Sequence, residues 1–153
     1  LESLSTFKQI IDILSALLSP VIAISVAYIA YQQWKLNTNK EKRESNSQKL
    51  HIYMVLKRFL RAVDTSRSVD LILYEELQES LALADFYFNY AVTDWLFDVD
   101  CEASVWLDLS EISLILENES PEYTKNRREM EEVMNKLQNY HCQLFDVFKS
   151  SML

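Results

Sequence analysis

The chain has 153 residues, no glycine, two prolines and a formal net charge of −8. Without glycine, Gly-rich phosphate loops and dinucleotide fingerprints cannot be built in their usual form, and tight hairpins lose the residue that takes positive φ at no steric cost. Long apolar periodic runs then predict an all-α protein: one N-terminal transmembrane helix followed by a small cytoplasmic helical bundle of about four helices.

Residues 10–31 set the pattern. Residues 13–30 hold no charged side chain, and at 1.5 Å per residue a helix of that length covers roughly 27 Å, near the hydrocarbon thickness of a bilayer. A core helix would show a polar face, and this run shows none. A secretory signal would begin with a basic segment and close on small residues at a cleavage site. Here only Lys8 stands against Glu2 and Asp12, and the run leaves through Tyr28, Tyr31 and Trp34. Aromatics spaced by three share one side of a helix and suit the headgroup layer. The span is therefore expected to be an anchor rather than a signal peptide.

Lys35, Lys40, Lys42, Arg43 and Lys49 follow the run, whereas only Lys8 precedes it. The positive-inside rule predicts the inner membrane, a single pass, the N-terminus outside and the C-terminal domain in the cytoplasm. Within the span Ala16, Pro20, Ala23, Ala27 and Ala30 repeat at four-three-four-three spacing, a stripe of small residues on which helices pack in lipid. Asp12, Ser15 and Ser19 form a polar stripe beside it. Two readings follow: a monomeric anchor whose serines bond their own backbone, or a homo-oligomer that turns these groups inward. Pro20 removes one helix hydrogen bond.

The organisation expected is residues 1–34 as a short external N-terminus and span, residues 35–49 as a basic juxtamembrane linker or helix extension, and residues 50–153 as the cytoplasmic domain. Asn37, Asn39, Asn46 and the serines weaken an isolated helix in the linker. Residues 35–67 carry nine basic and three acidic side chains, and residues 68–153 carry five basic and eighteen acidic. A basic collar is thus followed by an acidic body.

Residues 50–63 read as a helix with Ile52, Val55, Leu56, Phe59, Leu60 and Val63 on the apolar face and Lys57, Arg58 and Arg61 on the other. A break near Thr65, Ser66 or Ser68 supplies the next N-cap. Residues 69–89 form a second helix with Leu73, Leu77, Leu81, Ala84 and Phe88 inward and the block Phe86, Tyr87, Phe88 in the core. Residues 91–116 form a third, with Val92, Leu96, Val99, Ala103, Trp106, Leu107, Leu109, Ile112 and Leu116 inward. Asp94 and Asp98 at i, i+4 read as a solvated acidic face before they read as an acid–base pair or cation ligands, since no glycine turns a calcium loop and no E-x-x-H motif is present. The last helix starts at Ser120-Pro121-Glu122, a capping serine before proline and an acid on the positive end of the dipole. Its stripe is Tyr123, Met130, Val133, Met134, Leu137, His141, Leu144, Phe145, Phe148 and Met152.

Cys101 and Cys142 are expected as free, buried thiols, and with His51 and His141 they lack metal-ligand spacing. No metal site, cofactor or catalytic residue is expected, and nothing local indicates an enzyme.

The segment VIAISVAYIAYQQWKLNTNKEKRE resembles a group of small bacterial proteins. In these, one N-terminal span leads through a Tyr-Ile-Ala-Tyr-Gln-Gln-Trp-like exit into an Asn/Lys-rich stretch and then a helical cytoplasmic part. LHIYMVLKRFLRAV and LALADFYFNYAVTDWL are similar to the same group, and the likeness fades after Trp106. By architecture the chain is also similar to membrane effectors of bacterial antiviral signalling, including those at type III CRISPR loci that answer cyclic oligoadenylate. That resemblance implies a homo-oligomer in the bilayer with an anionic cyclic oligonucleotide as ligand. Lys57, Arg58, Arg61 and Arg67 would contact phosphates and Tyr53 would stack on a base. Duplex nucleic acid is not expected as a partner. The alternative is a membrane-anchored scaffold that docks a protein through the acidic body or the final helix.

Overall fold

A computed structural model describes residues 2–118 and 120–152, with side chains from Thr6 onward. Five helices and no strand form among the described residues: α1 (Glu2–Ser66), α2 (Leu71–Leu81), α3 (Ala84–Tyr87), α4 (Tyr90–Ile115) and α5 (Pro121–Met152). The chain divides into two compact units, Leu1–Glu44 and Ser45–Leu153.

The first unit is helix alone. Its apolar window is long and apolar enough to cross a membrane, and none of that window is buried in the chain. Pro20 lies inside the helix. Ser25 Oγ donates to the Val21 carbonyl at 2.8 Å and Thr38 Oγ1 to the Trp34 carbonyl at 3.0 Å, so these hydroxyls are satisfied within their own helix. Tyr31 and Trp34 pack as a tilted ring pair with centroids 6.1 Å apart.

Residues 35–49, expected as a linker or helix extension, are helical throughout. Nucleation is the costly step of helix formation, whereas each further residue adds a hydrogen bond. Strong helix-forming runs on both sides therefore carry the turn across Asn37, Asn39 and Asn46.

The second unit is built around the striped part of α1. Ile52, Val55, Leu56, Phe59, Leu60 and Val63 are all buried, as their spacing requires. Leu77 of α2, Ala84 of α3, Val92, Leu96, Val99 and Ala103 of α4, and Val133, Met134, Leu137, Leu144 and Phe148 of α5 complete one core. Phe148 is its aromatic hub, with edge-on contacts to Tyr53 at 5.5 Å and Phe88 at 5.1 Å. Helix α4 packs along α5, where buried Asn126 donates through Nδ2 to the Leu109 carbonyl at 3.0 Å.

The helix ends follow capping chemistry. Asp70, rather than Thr65, Ser66 or Ser68, caps α2: its Oδ1 accepts from the amides of Ile72 and Leu73 at 2.9 and 3.1 Å. Asn89 Oδ1 accepts from Val92 at 3.1 Å and Ser120 Oγ from Tyr123 at 3.0 Å. Each such cap stabilises by about 1 kcal/mol. Helix α1 ends with Arg67 at φ 56°, its amide bonded to the Val63 carbonyl at 2.9 Å. This is the left-handed C-terminal cap that usually takes glycine, and a side chain there costs roughly 1–2 kcal/mol.

Several expectations are corrected. Residues 69–89 are not one helix: the turn breaks at Ala82 and Leu83, which carry neither glycine nor proline. Phe86, Phe145 and Ile112 are exposed rather than core, while Tyr74 and Ser80 are buried. Cys101 and Cys142 are free but exposed, not buried. His141 is half-buried, with Nδ1 3.6 Å from Asp64 Oδ2.

Candidate functional site

Lys57, Arg58 and Arg61 recur at helical spacing on the solvent side of α1. With Met54 and Thr65 they line a shallow groove of about 530 Å³. All of these belong to α1, so a single helix face supplies the polar wall. Arg58 is committed within the unit: its Nη1 reaches both carboxylate oxygens of Glu76 on α2, at 2.8 and 3.0 Å. The Lys57 ammonium lies 5.9 Å from the Tyr53 ring centre. Arg61 has no ion-pair partner among the described residues. Tyr53 is half-buried and its ring is engaged by Phe148, so base stacking on it would compete with core packing. Arg67 does not join this group.

Arg67 instead lines a second groove, of about 480 Å³, built from three parts of the fold. Its cap position after α1 delivers one guanidinium. Helix α4 delivers Trp106, and α5 delivers Arg127, Arg128, Glu131 and Met134. The Arg67 side chain makes only long hydrogen bonds, at 3.4 Å to Gln138 Oε1 and 3.5 Å to Asn135 Oδ1. The Arg127 guanidinium sits 6.0 Å from the Tyr123 ring centre. No carboxylate pairs with any of the three arginines among the described residues, although Lys136, further along α5, pairs with Glu102 at 2.7 Å. Sequence spacing missed this groove because its parts are far apart in the chain. The adjacent Arg127-Arg128 pair, in a strongly acidic stretch, was the available signal.

The titratable groups with displaced pKa lie elsewhere in the unit. Burial raises the Tyr74 phenol above its usual range, and the neighbouring Asp100 carboxylate adds to the shift. Burial also raises Tyr140, with Asp98 and Glu102 adding negative charge nearby. The hydrogen bond to Glu102 raises the Lys136 ammonium. Asp94 and Asp98 are both exposed. Among the described residues no group of three or more His, Cys, Asp or Glu side chains could hold a metal ion.

In the first unit the stripe Ala16, Pro20, Ala23, Ala27 and Ala30 and the polar residues Asp12, Ser15 and Ser19 are all exposed. Asp12, Ser15 and Ser19 have no hydrogen-bond partner among the described residues.

In comparisons with known proteins, no family model, no curated protein and no solved structure matches the chain.

Proposed function

We propose that the chain is a membrane-anchored, oligomeric sensor or effector. Residues 13–30 cross the inner membrane once with the N-terminus outside. The second unit faces the cytoplasm, receives a signal there and passes it to the span. One observation carries this reading: an uncharged apolar helix whose large side chains, from Ile13 to Ile29, are all exposed. Left in water, that surface would be an aggregation liability; in lipid it is at equilibrium. The basic flank after the span supports the orientation.

In the antiviral version the signal is a cyclic oligonucleotide held on the Lys57–Arg61 face around a symmetry axis. Lys57 and Arg61 are available for it, and Arg58 would first have to leave Glu76. The test is the oligomeric mass of the full chain in detergent, with and without cyclic oligoadenylate. A ligand-dependent change that disappears in Lys57→Glu/Arg61→Glu supports this version, and a strict monomer indifferent to the ligand removes it. A C-terminal reporter active only in the periplasm would overturn the orientation.

A second reading, a scaffold that docks a protein, is favoured by one observation. Phe86, Tyr90 and Phe97 are 80 %, 81 % and 62 % exposed, with the carboxylates of Asp85, Asp94 and Asp98 close by in sequence. Aromatics rimmed by charge suit a protein interface. Changing Phe86 and Tyr90 to serine would then abolish partner capture while leaving detergent mass unchanged.

A further inference from the structure

We propose that the groove between Arg67, Trp106 and the Arg127-Arg128 pair binds a phosphorylated ligand bearing a planar aromatic ring, of the nucleoside diphosphate class. The inference concerns the second unit alone and does not depend on where the first unit sits.

Three features converge there. The first is charge. Residues 68–153 carry eighteen acidic side chains against five basic, and Lys125 and Lys136 are ion-paired with carboxylates. Arg67, Arg127 and Arg128 line one groove with no carboxylate paired to any of them. Guanidinium forks match phosphate oxygens two at a time, so adjacent phosphates suit three of them better than one would.

The second feature is the strained cap. Arg67 holds a left-handed φ of 56° at a position where glycine or asparagine would relieve the backbone. Its side chain makes only bonds of 3.4 and 3.5 Å, which are weak and easily exchanged for a phosphate. An anionic ligand would give that guanidinium stronger partners than Gln138 and Asn135 do. Strained residues of this kind cluster at ligand clamps.

The third feature is the indole. Trp106 is half-buried in the wall of the same groove, where an aromatic surface can stack on a base. Glu131, the single acid in the lining, supplies an acceptor for a sugar hydroxyl. The groove is open to solvent, and its volume of about 480 Å³ is within the range of small-molecule sites.

The test is calorimetric titration of the full chain in detergent with ADP and, separately, with inorganic pyrophosphate. The expected result is saturable ADP binding with Kd below about 1 mM, and pyrophosphate weaker by roughly tenfold because it forgoes stacking. Arg127→Gln/Arg128→Gln, both exposed on α5, is expected to weaken ADP by roughly tenfold or more. Arg67→Gly relieves the backbone, so it should melt no lower than the parent chain and still bind ADP more weakly. Lys149→Gln, which removes an exposed α5 cation outside the groove, should leave ADP binding unchanged. Absence of saturable ADP binding, equal affinity for pyrophosphate, or undiminished binding in the Arg127/Arg128 variant would each overturn the proposal.

Discussion

Helix α1 carries two apolar segments with opposite fates. In residues 13–30 the large hydrophobic side chains circle the helix and all are exposed; in residues 50–63 Ile52, Val55, Leu56, Phe59, Leu60 and Val63 form one buried stripe, with Leu50 and Met54 exposed outside it. Both are rich in Ile, Val and Leu, but the first holds no charged side chain, whereas Lys57, Arg58 and Arg61 confine the apolar residues of the second to one side of the helix. A stripe matches a protein core on one side and water on the other, whereas an uncharged helix with large apolar side chains all round suits a solvent that is itself apolar. On the proposed span, the same residue types would stabilise the molecule in one segment through packing and in the other through the surrounding lipid.

Substitutions can break this contrast. Phe59→Ala, at the centre of the buried stripe, should destabilise the second unit by about 3–5 kcal/mol, read as a shift in the denaturant midpoint. Ile22→Arg, at the centre of the exposed cylinder, should cost about 2.5–3.5 kcal/mol of membrane insertion and shift the chain toward the soluble fraction, while the melting of the second unit stays unchanged. If Ile22→Arg instead lowered that melting temperature, the two segments would not be energetically separate. Arg58→Gln removes an exposed pair with Glu76 and should cost no more than about 1 kcal/mol.

The pH dependence sharpens the same comparison, since the displaced groups named above all lie in the second unit. Tyr74, Tyr140 and Lys136 have folded-state pKa values raised above their unfolded ones. Their stabilising contribution is complete below the unfolded pKa values and is lost as pH rises through the folded ones. The second unit should therefore lose stability from about pH 10 upward, and Tyr74→Phe should make that alkaline loss shallower. A loss equally steep in the variant would show that the Tyr74 phenol is not a source.

Much of the fold was legible because local chemistry and global packing agreed. The stripe Ile52–Val63 and the Ser120-Pro121 start of α5 could be read directly, since spacing and capping each point to one outcome. Phe145 was misread because it adjoins Leu144 on a helix of 32 residues, over which a heptad-like stripe drifts away from the true 3.6 period. The break at Ala82 and Leu83 left no trace in residue type, since neither is a glycine or a proline. The Lys57–Arg61 face was legible as a helical repeat. The Arg67 groove was not, because it exists only once α1, α4 and α5 are assembled, and Tyr53 looked available only while Phe148 was out of view.

The two thiols have a practical consequence. Cys101 on α4 and Cys142 on α5 are both free and both solvent-facing, so air oxidation can link one copy to another through a surface sulfur. Mass measurements made without a reductant would then count covalent artefacts as assembly. Kept reduced, the same sulfurs are two ready handles for a maleimide spin label or fluorophore, one on each of two packed helices, and the distance between the labels would report any rearrangement directly.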